Sequence, residues 1–415
     1  MISSLLIVIF TFTTVGYAEE RVIYAAVIYR HGDRTPVDPY PTDPWKNESI
    51  WPVKFGQLTN TGKKQHYALG KWLRKRYAHL LSEDFDPSEI YVRSTDVDRT
   101  LMSAQANLAG MYPPSRKSRW DMELNWQPIP VHTVPEKEDE ILAMKKPCPA
   151  YDRELDRLTS SKPYKDKLSK YQYLMNYLSA YTGMKVKDYY EIDDIYSTLY
   201  IESLYNFTLP NWTQSVYPDK MREPACYSFT TQTGSPLLAR LKVGPLIKHI
   251  GAHMLTSLSR NNKGHKVLIF SGHDLTVGSV LNALDLYDGN CPVYTSTVLI
   301  ELVTKNGSDD HFVRISYRNS VDIVEPKILK IPYCGEYCPI ERFLKLYENL
   351  LNVNWDEECR SKFPALLAGA FIIGLCLFVM IYISHRIHFA RVYNRYRKNL
   401  PYTGIENAAL TPIKS

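Results

Sequence analysis

Val22-Ile23-Tyr24-Ala25-Ala26-Val27-Ile28-Tyr29, followed at once by Arg30-His31-Gly32, is the stretch that decides the fold of this 415-residue chain. An unbroken run of apolar, β-branched and aromatic residues without polar alternation describes a strand buried on both faces. The charged pair and the glycine end it in a turn. After a loop rich in Pro, Asp and Trp, residues Thr59 to Tyr77 carry the spacing of an amphipathic helix, with Leu69, Trp72 and Leu73 on its apolar side.

The same order returns twice. Ile90 to Val92 predicts a short strand, Arg93-Ser94-Thr95-Asp96 a turn, and Arg99 to Met111 a helix. Lys266 to Phe270 predicts a third strand, Ser271-Gly272-His273-Asp274 its turn, and Leu275 to Leu284 its helix, while Val298 to Val303 and Phe312 to Tyr317 pair around Asn306-Gly307. Strand, polar turn and helix in repetition imply an α/β fold, a central mixed sheet flanked by helices, and exclude a helical bundle or a β-sandwich. The Tyr-rich segment from about 135 to 261 has helical spacing and is expected to form an additional lobe beside the sheet.

The ends place this domain. Residues 1–18 hold a short apolar run, Leu5 to Phe12, closing in Gly16-Tyr17-Ala18, and are expected to be a cleaved signal peptide. Residues 363–383 are apolar for long enough to cross a bilayer as a transmembrane helix. In 384–415, Arg386, Arg391, Arg395, Arg397, Lys398 and Lys414 face a single acid, Glu406, which predicts a cytoplasmic tail, a type I orientation and a luminal or extracellular domain over 19–362. That tail carries most of the formal net charge of +6, so the large domain has no overall basic excess and nucleic-acid binding is not expected.

The luminal assignment accounts for two further patterns. Six cysteines, Cys148, Cys226, Cys291, Cys334, Cys338 and Cys359, precede the apolar segment, an even count that suits disulfides in an oxidising compartment. Zinc at Cys334 and Cys338 is the alternative, but no second close Cys or His pair completes a tetrahedral set. Sequons begin at Asn47, Asn206, Asn211 and Asn306 and are expected to be glycosylated.

The three strand-ending turns carry Arg30, His31 and Arg34, then Arg93, then His273 and Asp274. Guanidinium groups gathered round one phosphate stabilise the charge of a transferring phosphoryl group. A neutral imidazole among them is a nucleophile, and a carboxylic acid can protonate the departing oxygen. Singly each residue has a bland explanation, as a surface arginine, a structural histidine or a helix-capping aspartate. Their placement on turns of one kind favours a shared site.

Arg30-His31-Gly32-Asp33-Arg34-Thr35-Pro36 closely resembles the signature of the histidine acid phosphatases, and Ser271-Gly272-His273-Asp274 resembles their His-Asp motif. Gly56-Gln57-Leu58-Thr59, Arg93-Ser94-Thr95-Asp96-Val97-Asp98-Arg99-Thr100, Trp126 to His132 and Asn206-Phe207-Thr208-Leu209-Pro210 extend the likeness to the prostatic and lysosomal branch. The resemblance implies a histidine phosphatase fold and hydrolysis of phosphate monoesters. It also implies His31 as the phosphorylated nucleophile, Arg30, Arg34, Arg93 and His273 as phosphate ligands, Asp274 as proton donor, no metal or other cofactor, and a homodimer. It further implies bridges Cys148–Cys359 and Cys334–Cys338. A third family bridge is missing, Ile201 standing where the branch has one cysteine and its partner being replaced near Thr297, which leaves Cys226 and Cys291 as a substitute tie. A phytase or lysophospholipid phosphatase would use the same cradle, because pocket walls set the leaving group. A phosphotransferase, or a surface receptor on an inactive scaffold, is the reading from another class.

Tyr402-Thr403-Gly404-Ile405 in the tail has the form of a tyrosine-based sorting signal, with Tyr402 and Ile405 expected to contact a clathrin adaptor. Internalisation to an endosomal or lysosomal membrane is the expected consequence, with the plasma membrane as the alternative residence.

Overall fold

The computed structural model describes residues 20–259, 264–305, 310–360 and 365–398. The expected signal peptide, the sequon at Asn306 and the Tyr402 motif lie outside them. The chain divides into two compact units, the second beginning at Ser361.

The first unit runs β1 (Glu20–Arg30), α1 (Asn60–Arg76), β2 (Ile90–Ser94) and α2 (Asp98–Met111). Helices α3 (Pro149–Ser160), α4 (Lys162–Ser169), α5 (Gln172–Thr182), α6 (Tyr189–Leu204), α7 (Asp219–Thr231), α8 (Pro236–Lys242) and α9 (Gly244–Ser257) follow. The chain returns to the sheet with β3 (Val267–Gly272), α10 (Asp274–Ala283), β4 (Thr297–Lys305) and β5 (His311–Arg318). It closes with β6 (Lys327–Ile328), β7 (Cys338–Pro339), α11 (Ile340–Leu346), α12 (Glu348–Leu351) and α13 (Trp355–Glu358).

The strand order is β2-β3-β1-β4-β5-β6, with β7 also on β5. The β1–β3 and β2–β3 pairings are parallel and the others antiparallel, the mixed sheet expected. Along β1, Tyr24, Ala26 and Ile28 join one core cluster and Ala25, Val27 and Tyr29 the other, so the unbroken apolar run follows from burial on both faces. Residues of α1 and α2, such as Leu69, Leu73 and Leu108, cover the second face. The two helices touch backbone to backbone: a Cβ on Gly70 would lie 1.9 Å from the Asn107 carbonyl oxygen, so only glycine fits the crossing.

The helical segment is less separate than its sequence suggests. Leu174, Leu178, Ile192, Leu199 and Met221 build a core of their own in α5 to α7. Leu246, Ile247, Ile250 and Met254 of α9 instead belong to the first sheet face, so α9 is a layer of the sheet domain and the lobe proper ends before it. All three expected disulfides are formed, Cys148–Cys359, Cys226–Cys291 and Cys334–Cys338. Ile201 is buried with Trp51 and Tyr294 in a small apolar cluster. The second unit holds α14 (Ala365–Lys398), in which Ile372–Arg395 is long and apolar enough to cross a membrane. The helix runs past the expected end at Ile383, because no proline interrupts it before Pro401 and its late basic residues suit a helix C-terminus.

One polar network is sealed in the second face. Glu301 on β4 is fully buried and accepts from Arg76 at 2.8 and 3.0 Å, from Arg314 at 2.8 and 3.0 Å, and from the Tyr77 hydroxyl at 2.8 Å. Burial works to raise its pKa, but the two guanidinium groups outweigh that and hold it below the usual carboxylate range. Glu301→Ala removes the buried partner shared by Arg76 and Arg314, leaving Arg314 only Glu20 at 2.8 Å and Arg76 only Glu325 at 3.8 Å, and is expected to cost about 3 kcal/mol, read as a lowered midpoint in urea unfolding.

Candidate active site

Parallel pairing in register brings the three turns together. Arg30 of β1 lies opposite Gly272 of β3, and Ser94 of β2 opposite Ser271, so all three chains leave the sheet at one edge. After β1 the chain is held tightly. The His31 N–H donates to Gly272 O at 3.0 Å and the Gly32 N–H to Ser103 Oγ at 3.2 Å. A Cβ on Gly32 would sit 2.5 Å from Gly62 O, so glycine there lets the turn rest on the first turn of α1. Asp33 is spent on this arrangement, accepting from the Thr59 hydroxyl and from the Tyr205 hydroxyl at 3.0 Å.

His31 is 1% exposed. Its Nδ1 is 2.8 Å from Gly32 O, and because a carbonyl only accepts, Nδ1 carries the proton and the Nε2 lone pair is left for chemistry. Burial first, then Arg99, Arg30, His273 and Arg34, drive its pKa well below the ordinary histidine value and keep the ring neutral in acid. The His273 ring stands edge-on with its centroid 5.5 Å away. His273 Nε2 is 3.0 Å from Thr95 Oγ1, and Arg99 donates to its Nδ1 at 3.4 Å. Burial, and then the Arg99 charge, lower its pKa as well.

Arg30 is braced on three sides. It pairs with Asp274 at 2.7 Å, donates to Pro292 O at 2.6 Å and lies 4.4 Å over the Tyr294 ring. Asp274 begins α10, where its Oδ1 accepts from the Leu275 N–H at 2.8 Å. Burial acts to raise its pKa, yet Arg30, Arg34 and His273 prevail and hold the carboxyl below its usual range.

The expected ligand Arg93 is not brought into this cluster. Its guanidinium is 2.6 Å from the buried carboxylate of Asp139, which also accepts from the N–H groups of Ile141, Leu142 and Ala143. Strand alternation puts Arg93 on the side of Tyr91, whose ring packs against the first sheet face, away from His31. The guanidinium that arrives is that of Arg99, in the first turn of α2. It is crowded enough by burial, and then by Arg34 and Arg30, that its pKa falls to about 10. A readable signal existed: a cation in the first turn of a helix opposes the dipole there, which makes sense where an anion is to be bound. Among the described residues the buried Nε groups of Arg30, Arg34 and Arg99 have no partner, and neither do those of Arg93 and Arg318.

The cluster thus gathers three guanidinium groups, one of them paired with Asp274, round the His31 imidazole. The profile of the histidine phosphatase superfamily (branch 2) matches residues 21–318. The chain belongs to that family. It is 38% identical to the lysosomal acid phosphatase of Xenopus laevis over 90% of this chain and 86% of that one. It is 40% identical to the human prostatic acid phosphatase over 81% and 88%. Among solved structures, the Klebsiella sp. ASR1 phytase superposes with a TM-score of 0.60 at 15% identity, covering 80% of this chain and 96% of that one, which shows a common fold.

Exchanging the two arginines separates their roles. Arg99→Ala is expected to reduce kcat/KM for phosphate monoesters about 10²- to 10³-fold with little loss of stability. Arg93→Ala, by orphaning Asp139, is expected to lower the unfolding midpoint while sparing the turnover of the folded fraction. Paired steady-state kinetics and denaturation on both variants check this.

Proposed function

We propose that His31 is the nucleophile and Asp274 the proton donor of this enzyme, a histidine acid phosphatase that hydrolyses phosphate monoesters through a phosphohistidine. The observation that carries the assignment is the neutral, Nδ1-anchored His31 ring among Arg30, Arg34, Arg99 and His273. A phosphate dianion between these groups replaces cation–cation repulsion by attraction, and it takes Arg30 from Asp274. With its cation engaged elsewhere and new negative charge beside it, Asp274 regains a higher proton affinity on binding. Nε2 then forms a bond to phosphorus as the P–O bond to the leaving group breaks, and the departing oxygen takes the Asp274 proton. Water cleaves the P–N bond in the second step, giving its proton to Asp274 and restoring neutral His31.

A cavity of about 470 Å³ opens on Arg30 and Asp274 and is walled by Tyr196, Tyr200 and Phe229, room for an organic leaving group with apolar or aromatic surface. The same proposal places the domain on the luminal or extracellular side of a lysosomal or cell-surface membrane. The exposed sequons at Asn47, Asn206 and Asn211, the three disulfides and the apolar Ile372–Arg395 helix support that reading, with Tyr402 and Ile405 as the adaptor contact.

Two experiments test the assignment. Quenching turnover with labelled substrate is expected to trap a base-stable, acid-labile phosphoenzyme on His31, absent in His31→Ala; label elsewhere refutes the mechanism. Because the His31 pKa is depressed, its neutral form persists as pH falls through the ordinary histidine range. Thus kcat/KM should hold level from about pH 6.5 to about pH 5, and a decline across that window would point to a different nucleophile.

A further inference from the structure

The leaving-group cavity holds a carboxyl that the mechanism above does not use. Asp193, on α6, lines it together with Asp274 of α10 and Arg30 of β1. Its hydrogen bond comes from the Ser228 hydroxyl of α7 at 3.3 Å, and no cation pairs with it within ion-pair distance among the described residues. Arg30, the cation that faces both carboxyls, is committed to Asp274 at 2.7 Å. Arg222, also in the wall, stands beside Tyr196. Around Asp193 are therefore Ser228 from α7, Asp274 from α10, Arg30 from β1, Tyr287 and Asp288 from the segment after α10, and Tyr190 of its own helix, while the exposed Asp194 points elsewhere.

Three carboxyls, Asp193, Asp274 and Asp288, and two guanidinium groups, Arg30 and Arg222, line this cavity and cannot all be charged cheaply, and a dianionic phosphate entering it makes the negative excess larger. We propose that Asp193 and Asp274 form a two-carboxyl unit that carries one proton into the reaction, Asp193 being its store and Asp274 its outlet. The inference rests on the assignment of Asp274 as donor. In the empty site the guanidinium holds Asp274 ionised and the proton resides on Asp193, whose pKa is raised by burial and then by Asp274 and Asp194. When substrate phosphate captures Arg30, the Asp193 carboxyl gives its proton to the Asp274 carboxylate. Asp274 passes it to the leaving oxygen as the P–O bond breaks, and Asp193, now a carboxylate, is reprotonated from solvent. The unit thereby lets a proton donor stand beside an arginine without being ionised at the moment it is needed.

The full-length chain in detergent is assayed with 4-nitrophenyl phosphate and with glycerol 2-phosphate, whose leaving group requires protonation. Asp193→Asn is expected to lose about 10- to 100-fold in kcat/KM on glycerol 2-phosphate while nearly retaining the nitrophenyl rate. The alkaline limb for glycerol 2-phosphate should move to lower pH, since Asp274 must then take its proton directly from solvent, and Asp193→Glu should restore both. An unchanged ratio of the two substrates and an unchanged limb overturn the proposal. Asp274→Asn, measured in parallel, keeps the two readings apart: if it fails to discriminate the substrates the donor assignment itself falls, whereas a silent Asp193→Asn beside a discriminating Asp274→Asn removes only the store. Should Asp193→Asn not fold, infrared difference spectra of the wild type with inorganic phosphate decide. A protonated-carboxyl band that shifts on binding supports the transfer, and a spectrum without such a shift refutes it.

Discussion

The ion pair between Arg30 and Asp274 joins the end of β1 to the start of α10, and the remaining site is arranged around its provisional nature. It neutralises one of three crowded guanidinium groups while the cavity is empty. Burying a charge pair is close to break-even, because desolvation offsets most of the attraction. Such a pair can therefore be exchanged for a stronger one. In the proposed mechanism a phosphate with two negative charges and several acceptor oxygens is that stronger partner, and its arrival alters the proton affinity of the carboxylate it displaces.

The fold contains a second arginine cluster with the opposite character. Around Glu301, Arg76 and Arg314 fill the acceptor positions of one carboxylate, with the Tyr77 hydroxyl completing the set. Cations and anion are matched there and the network holds β4, β5 and α1 together. Around His31, the cations outnumber their protein partners and the Nε donors of Arg30, Arg34 and Arg99 remain open. Residue type is the same in both places. The difference lies in the charge balance: Arg76 and Arg314 each pair with the buried Glu301, whereas of Arg30, Arg34 and Arg99 only Arg30 has an ion-pair partner among the described residues, Asp274.

The helical lobe contributes more than a wall. Helix α6 carries Asp193, Tyr196 and Tyr200 into the cavity, and α7 supplies Ser228 and Cys226. The Cys226–Cys291 bridge ties α7 to the loop whose Pro292 carbonyl accepts from Arg30. This disulfide thus ties down the carbonyl that braces Arg30. Ile201 adds apolar packing against Trp51 and Tyr294.

Much of this was legible in the residue order because it is local. An apolar run without alternation specifies a doubly buried strand, glycine after the charged pair specifies a turn, and the Arg-His-Gly and His-Asp groups lie on the segments that build the cradle. Pairing register then aligned the strand ends, so Arg30, His31, Arg34, His273 and Asp274 meet as expected. The choice between Arg93 and Arg99 was not local. Both belong to one short segment, and it was settled by which face of β2 Arg93 occupies, by the acceptor Asp139 waiting there, and by the direction in which α2 aims its first turn. Asp193 was invisible for a similar reason, since nothing near it in the chain sets it apart until α6 brings it to the cavity that Asp274 also lines. The chain's own order determined the strands, the turns and the kinds of group they carry; only the packed structure decided which charges find partners, because that depends on what approaches from distant parts of the chain.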